Sequence, residues 1–313
     1  MTLYEIPLER RTLHGHFSRE LEPVLTIESG DSIAISAPDA GWGIGPPQDA
    51  GGTRERFGPR DPELDRGHPL IGPVEVRGAR AGQTLVVEID EVRVGTWGFT
   101  DAGGWSTPLN ERLGVADGRP ATLLWELEAE TALGRDRVGR TVVLRPFLGV
   151  IGMPPSEPGV HPTAPPRVSG GNIDCKELVA GTTLYLPIPV DGALLSAGDC
   201  HAAQGDGEVS QLALECPLER AQLTVSVRDD LTLSTPIART DDAWLTFGFD
   251  EDLDEAAALA IDAMLELMGR QHELERREAL ALASVVVDLR VTQMVNGVRG
   301  VHAMLPHRAI GFS

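Results

Sequence analysis

The abundance of glycine and proline is the feature of this chain that most constrains its fold. Its 313 residues include 35 glycines and 23 prolines, and 4% of them are aromatic. Because glycine and proline are poor in helix interiors and common in turns, this composition favours a loop-rich β protein over a helix bundle. We predict a mainly β fold, sandwich-like or barrel-like, with an α+β C-terminal portion. Residues 1–95 and 96–235 form two predicted β-rich regions, and residues 236–313 form the α+β region.

Alternating apolar residues predict two hairpins in the first region. Residues 24–35 alternate around a turn at 29–31, and residues 74–94 alternate around a turn at 80–82. The stretch 38–73 between them is rich in Gly, Pro and Asp and has no period. It is predicted to be a long loop, and long ordered loops are often functional.

The C-terminal region carries the clearest helical pattern of the chain. Apolar residues recur there at spacings of three and four, which indicates an amphipathic helix. Asp252 or Asp254 is the predicted N-cap, and Gly269 is the predicted end. A second helix over 276–287 and a strand over 288–295 are expected to follow.

Acidic, amide and imidazole side chains recur two residues apart within the segment 170–208. The pairs are Asn172 with Asp174, Asp199 with His201, and Asp206 with Glu208. In an extended backbone, residues i and i+2 point to the same side, so each pair can aim two ligand atoms at one point. Glycines crowd the same segment and allow the backbone to turn tightly and approach a ligand. The pattern indicates a hydrolytic site with a bound metal.

Charge and cysteine content limit the partners and the compartment. The formal net charge of −20 argues against nucleic acid and anionic membranes, and it favours small neutral or cationic ligands. Three cysteines, Cys175, Cys200 and Cys216, are an odd number without secretory features, so reduced thiols are expected. The N-terminus has no apolar signal core, and no apolar run approaches transmembrane length. We therefore expect a cytoplasmic protein.

The segment 170–208 resembles the acetamidase/formamidase family. The matching strings are GGNID at 170–174, LYLP from 184, DGALLS from 191 and GDCHAAQGDGE at 198–208, and the likeness extends over nearly the whole chain. The resemblance implies hydrolysis of small aliphatic amides, such as formamide or acetamide, to a carboxylate and ammonia. It also implies a mostly β architecture with an α+β tail, and a homo-oligomer.

Two features depart from the family pattern. Cys175 and Cys200 stand where the family more often has Thr and Gly, and the loop 40–66 is divergent. These differences bear on substrate preference more than on chemistry, and the role of the loop is left open.

Amide hydrolysis requires an activated nucleophile, a stabiliser of the oxyanion and an acid for the departing amine. A bound metal can supply the first two. Asp199 and His201 are the first candidates for metal ligands, with Asp174 as the third. Carboxylate and imidazole ligands suit zinc first, and calcium is the alternative ion. A purely structural hydrogen-bond cluster stays open for the same side chains.

Further candidates surround these ligands. Glu208 is the predicted general acid or base, or else a fourth ligand. Lys176, the only lysine of the chain, is a candidate catalytic residue that tunes the site by its charge, or else a structural ion pair. The supporting candidates, as extra ligands or orienting residues, are Asn172, Gln204, Asp206, His14 and His68.

Two rival hypotheses are carried forward. A cysteine nucleophile assisted by Lys176 and a glutamate would make the enzyme a covalent amidase, but Cys175 and Lys176 are adjacent on a strand and point to opposite faces. A non-enzymatic β-sandwich protein could instead use the acidic cluster to hold calcium or a small ligand.

Overall fold

Strands outweigh helices in the described chain, as the composition predicts. The computed structural model describes residues 1–48 and 53–311. Its strands are β1 (Leu3–Glu5), β2 (Leu13–His14), β3 (Leu25–Ile27), β4 (Asp31–Ala37), β5 (Leu70–Val76), β6 (Thr84–Val94), β7 (Trp97–Ala102), β8 (Ala121–Glu128), β9 (Leu133–Asp136), β10 (Thr141–Val143), β11 (Phe147–Gly152), β12 (Pro166–Arg167), β13 (Gly170–Asn172), β14 (Thr183–Pro187), β15 (Leu195–Ala203), β16 (Leu214–Cys216), β17 (Leu218–Arg228), β18 (Ile237–Arg239), β19 (Ala243–Asp250), β20 (Asp288–Gln293) and β21 (Arg299–Pro306). Its α-helices are α1 (Pro108–Leu113), α2 (Leu253–His272) and α3 (Arg276–Val286), and a short 3-10 helix covers Arg10–Thr12.

The strands form two sheets that face each other. Within the described residues, the first sheet has the order β1-β4-β17-β6-β14-β18-β19-β21-β20. The second runs β10-β9-β8-β7-β16-β15-β11-β13-β12, and β5 joins it by pairing with β15, β2 and β3. Strand β15 of the second sheet packs on β4, β6 and β17 of the first, and the main hydrophobic core fills the space between them. The mainly β, sandwich-like prediction is confirmed.

The two predicted hairpins are wrong, although their strands exist. β3 pairs with β5 in the second sheet, while β4 pairs with β1 and β17 in the first. Likewise β5 pairs with β15, and β6 pairs with β17 and β14. Each turn therefore carries the chain from one sheet to the other. Both β4 and β5 are buried at six of their seven positions, so no polar face in the sequence indicates which partner each strand takes.

The predicted long loop 38–73 is shorter than expected at its C-terminal end. Its last four residues belong to β5, which begins at Leu70. Residues 49–52 of this prediction lie outside the described residues. A buried ion pair between Asp39 Oδ1 and the Arg54 guanidinium, 2.9 Å apart, connects the start of the loop with its middle part.

The first C-terminal helix starts as predicted and ends later. The Asp252 carboxylate accepts hydrogen bonds from the backbone N–H groups of Asp254 and Glu255, at 2.8 and 3.2 Å, and so caps α2. The predicted end at Gly269 is wrong, because α2 continues past it and the chain turns at Glu273, whose φ of 56° is left-handed. A non-glycine residue takes the position that the sequence argument assigns to glycine.

The remaining C-terminal elements follow the sequence closely. Helix α3 and strand β20 lie where the second helix and the last predicted strand are expected. Helix α2 packs directly on β19, since a Cβ at Gly248 would lie 2.0 Å from the main-chain O of Ala256. The α+β tail is thus part of the first sheet.

Strands from all three predicted regions share that first sheet, which holds β4 and β6 from 1–95, β14 and β17 from 96–235, and β19 to β21 from 236–313. The division into three regions stays a prediction. Among the helices of the described chain, none is both long and apolar enough to cross a lipid bilayer.

Candidate active site

The acidic and imidazole side chains of the segment 170–208 meet around His201, where β15 runs between β11 and β16. His201 lies opposite Glu215 of β16 in the strand register. Its Nε2 lies 3.4 Å from Asp199 Oδ1 and 3.5 Å from Glu215 Oε2, and its Nδ1 lies 3.9 Å from Asp174 Oδ1. All four side chains are almost completely buried. Asp174, Asp199 and His201 offer ligand atoms within 4.8 Å of one another, and so do His201, Glu208 and Glu215.

The backbone at this cluster departs from the extended geometry that the spacing argument assumes. Asp199 lies within β15 and has a φ of 60°, and Asp174 and Glu208 have φ values of 52° and 46°. These are left-handed conformations that non-glycine residues rarely adopt. The side chains of Asp199 and His201 do lie close together, as predicted. Their contact depends on the left-handed backbone as well as on the spacing of two residues.

Gly149 of β11 leaves the space that the carboxylates occupy. A Cβ at this position would lie 2.6 Å from both Asp174 Oδ1 and Asp199 Oδ2, and 3.1 Å from His201 Cε1. Any larger residue would therefore displace two of the candidate ligands.

Several buried polar atoms of the cluster have no hydrogen-bond partner within residues 1–48 and 53–311. They are Asp174 Oδ1, Asp199 Oδ1, Glu208 Oε2 and Glu215 Oε2, and Asn172 Oδ1 of strand β13 is unpaired as well. Buried oxygens without partners are rare and costly in native proteins. Four such carboxylate oxygens around one imidazole fit a bound cation. Carboxylate and amide oxygens beside an imidazole form a ligand set that a divalent metal can use.

Gln204 determines which nitrogen of His201 faces the carboxylates. Its Nε2 donates to the main-chain O of Asp174 at 2.7 Å. Its Oε1, 2.9 Å from His201 Nδ1, therefore accepts a hydrogen bond from the N–H of that nitrogen. His201 Nε2 then faces the oxygens of Asp199 and Glu215, which are acceptors as well. A proton or a cation must lie between these groups, because their lone pairs alone repel. Gln204 thus orients the imidazole of a candidate ligand through its second ring nitrogen, as hydrogen-bond partners of metal-binding histidines do.

The pKa shifts of the clustered side chains also fit a bound cation. Burial raises the pKa of Asp174 to about 6, that of Glu215 to about 8 and that of Glu208 to about 10. Burial also acts to raise the pKa of Asp199, but the charge of His201 holds it at about 2. Burial acts to lower the pKa of His201, but the facing carboxylates of Glu215 and Asp199 raise it well above its ordinary value. The cluster keeps protons where a bound cation would supply positive charge instead.

Lys176 and Asp206 form a separate ion-pair network. Lys176 Nζ lies 2.8 Å from Glu177 Oε1 and 3.0 Å from Asp206 Oδ2. Glu177 also pairs with Arg290 at 3.2 Å. The prediction that Asp206 and Glu208 aim at one point is wrong, because the chain turns between them and only Glu208 reaches His201.

His14 makes its ring contacts elsewhere. Its Nδ1 lies 2.6 Å from the main-chain O of His16, and its Nε2 lies 3.0 Å from Ser196 Oγ. Burial lowers its pKa to about 4, so the ring is neutral near pH 7. This is the geometry of a buried hydrogen-bonded histidine.

His68 stands between the cluster and a cavity. Its Nδ1 lies 2.9 Å from Thr163 Oγ1, and its positive charge, when it is protonated, favours the ionised forms of Asp174 and Asp199. The cavity has a volume of about 480 Å³, and His68 and Thr163 line it together with Leu64 and other residues of the loop 40–66 and the segment 160–164.

The sequence patterns do not identify three residues of the site, which are Glu215, Gly149 and Asn296. Glu215 is 1% exposed and lies in the apolar stretch 212–216, where a lone acidic residue on a buried strand is a usable signal. Gly149 and Asn296 carry no comparable signal. Asn296 Nδ2 donates to Asp174 Oδ2 at 2.6 Å from 122 positions along the chain.

The cysteines do not have the properties of nucleophiles. Cys175 is fully buried, and burial raises the pKa of its thiol to about 12. Cys200 and Cys216 face each other as free thiols with their Sγ atoms 3.6 Å apart. Because the thiolate is the reactive form, this burial argues against the covalent mechanism.

A two-sheet β fold with a buried carboxylate–imidazole cluster defines a class of protein able to hold a metal, and sequence comparison identifies its family. The model of the Acetamidase/Formamidase family matches residues 5–161 and 159–308. The chain belongs to the acetamidase/formamidase family, as its motifs predict.

Individual relatives agree with this assignment. An acetamidase from Bacillus halodurans of known crystal structure has a TM-score of 0.82 and 30% identity to this chain, over 97% of both chains. A predicted acetamidase/formamidase from Thermoanaerobacter tengcongensis has a TM-score of 0.82 and 27% identity, over 97% of this chain and 95% of its own. The formamidase of Methylophilus methylotrophus is 26% identical in an alignment of 251 positions, which covers 63% of this chain and 60% of its own. The chain spans about 60% of the length of the curated relatives it matches.

Proposed function

We propose that this protein hydrolyses the C–N bond of small aliphatic amides, releasing a carboxylate and ammonia, with a metal-activated water. Relatives that are named formamidase and acetamidase support the reaction class. The metal is proposed on one observation, the four unpaired and buried carboxylate oxygens around His201.

Asp174, Asp199 and His201 are the residues that would hold the ion. The imidazole at the centre of the cluster favours zinc, because calcium prefers six to eight oxygen ligands. When bound, the ion would supply an acidified water and polarise the amide carbonyl. Asn172, Gln204 and Glu215 would orient these ligands or add to them.

Glu208 is the proposed proton donor to the departing nitrogen. Burial raises the pKa of this carboxyl to about 10 in the metal-free site, so Glu208 is a side chain that can hold a proton there. Its unpaired Oε2 is the atom from which that proton would leave. Its alternative role is that of a further ligand, in which case the carboxyl is ionised.

The proposed role of Lys176 depends on its ion pairs. By holding Glu177 and Asp206, it fixes the residues that follow Asp174 and those that precede Glu208. Its charge would thus act on the site through the position of these two segments.

The cavity beside His68 is the proposed substrate site. Its volume of about 480 Å³ lies within the usual range for small-molecule sites and exceeds what formamide or acetamide requires. Small neutral amides with longer acyl chains are therefore included among the expected substrates.

The decisive experiment measures ammonia release from formamide, acetamide and propionamide. The protein is assayed as purified, after removal of metal by a chelator, and after zinc is returned, with Asp199→Ala as the control that should lose both metal and activity. A metal-replete protein that releases ammonia from none of these amides would contradict the proposal.

A calcium-binding protein without catalytic activity is the second candidate. Glu208 and Glu215 add two carboxylates to the cluster, and such an oxygen-rich set favours calcium. Calcium binding by calorimetry without ammonia release would select this candidate.

The proposal also includes a cytoplasmic location and a homo-oligomer. The three free buried thiols fit a reducing compartment. Light scattering on the purified protein tests the oligomeric state.

A further inference from the structure

We propose that Asn296, in the turn that follows β20, is a positioning residue of the active site. Its side-chain amide holds Asp174 so that one oxygen, Oδ1, faces the His201 cluster. The inference rests on the proposed metal-dependent function. It assigns a role in the site to the C-terminal α+β portion, in which the sequence indicates no site residue.

The two oxygens of Asp174 have different surroundings. Oδ2 accepts a hydrogen bond of 2.6 Å from Asn296 Nδ2, while Oδ1 is buried without a hydrogen-bond partner in the described chain. Oδ1 is also the oxygen that lies 3.9 Å from His201 Nδ1. Asn296 therefore selects which oxygen is available to a metal and keeps the other from turning toward it.

The turn that carries Asn296 is rigidly built. The buried Gln293 places its Oε1 to accept from the backbone N–H groups of Val295 at 2.9 Å and Asn296 at 3.2 Å. Its Nε2 donates to the main-chain O of Val298 at 2.8 Å. The Gln293 side chain thus pairs with three backbone groups inside the turn, and it fixes the backbone that carries Asn296.

The same turn is also hydrogen-bonded to the segment that carries Glu208. The backbone N–H of Gly207 donates to the main-chain O of Thr292 at 3.0 Å, and that of Met294 donates to the main-chain O of Gly207 at 3.3 Å. Gly207 immediately precedes Glu208. The turn therefore contacts both the Asp174 segment and the Glu208 segment and sets their separation.

A neutral donor is the side chain that this position requires. An aspartate at 296 would place two carboxylates in direct contact in a buried site, and an alanine would leave Asp174 Oδ2 unpaired. Residues that orient metal ligands through hydrogen bonds typically contribute about 10–100-fold to metal affinity.

The test compares Asn296→Ala, Asn296→Asp and Asn296→Gln with a matched control, Met294→Ala, in the same turn. Met294 contributes its backbone N–H to the turn, and its side chain is 37% exposed. Zinc affinity is measured by competition with a chelator, alongside kcat and KM for the best amide and thermal unfolding of the metal-free protein.

We expect zinc binding to weaken about 10–100-fold in Asn296→Ala and at least as much in Asn296→Asp. Asn296→Gln, which keeps the amide, should retain more affinity than the alanine variant, and Met294→Ala should match the wild type. A purely structural role would instead lower the unfolding temperature of the metal-free variants and leave the zinc affinity of the folded fraction unchanged.

Two failures are distinguishable. If the wild type binds zinc and Asn296→Ala binds it equally well with an unchanged kcat, the role of Asn296 is refuted and the proposed function stands. If the wild type binds no divalent metal, the proposed function fails and this inference fails with it. Should the alanine variant not fold, Asn296→Asp decides by the same criterion.

Discussion

Substituting Gly149 by alanine should inactivate the site without unfolding the protein. The added Cβ would lie 2.6 Å from two carboxylate oxygens, whereas real Cβ contacts stay above 3.0 Å. Asp174 and Asp199 must therefore each move by about 0.4 Å or more. Metal–ligand distances tolerate about ±0.2 Å, and a misplacement of about 1 Å can cost on the order of 10²-fold in rate. We expect a loss of ten- to a hundredfold or more in kcat/KM, together with weaker zinc binding.

The assay is ammonia release by the purified variant, with metal content and thermal unfolding measured on the same sample. Gly205→Ala is the matched control, since a Cβ there meets no atom within 4 Å and the residue lies in the same motif. Near-wild-type turnover and metal content in Gly149→Ala would refute the reasoning, because the carboxylates would then not occupy the space beside β11. Loss of activity in both variants would show only a general sensitivity of the motif.

Three further predictions concern the acids and the lysine. Glu208→Gln should lower kcat by about 10²–10⁴-fold with zinc retained, as loss of a general acid does; loss of zinc would make Glu208 a ligand. Lys176→Arg should cost about tenfold or more in turnover, because a bulkier guanidinium would shift Asp206 and the segment before Glu208; an unchanged rate would leave Lys176 a structural ion pair. In the metal-free protein, burial raises the pKa values of Glu208 and Glu215 from an ordinary 4.5 to about 10 and about 8. The folded state therefore binds the extra protons, and stability should fall as the pH rises from about 4.5 to about 10. Urea unfolding at several pH values checks this slope, which zinc should flatten.

Sequence patterns predicted the elements of this fold better than their arrangement. The helical spacing in the C-terminal region gives the start of α2 at Asp252 and nearly the whole of α3. Those signals are local, since a cap and an apolar stripe are set by neighbours within one or two turns. The pairing of β3 through β6 is not local. β4 and β5 are buried on both faces, so the sequence of each is compatible with either sheet.

The site shows the same division between local and distant information. Asp174, Asp199, His201 and Glu208 lie within one motif segment, and the structure brings all four together. Glu215 joins them only through the register of β15 with β16, which pairs it with His201. Asn296 and Gly149 reach the cluster from the tail and from β11, and no spacing rule connects them with the motif.

The backbone explains why a spacing argument brought the right residues together for an incomplete reason. Asp174, Asp199 and Glu208 all adopt left-handed φ values, at a cost of about 1–2 kcal/mol each for residues with a Cβ. Such conformations persist only where the surrounding structure holds them, and they cluster at functional sites. Here they turn three acidic side chains of one segment toward a single imidazole. The conformational cost and the unpaired oxygens fall on the same three residues, Asp174, Asp199 and Glu208, which is the pattern expected when a fold is shaped around an ion that its side chains alone do not satisfy.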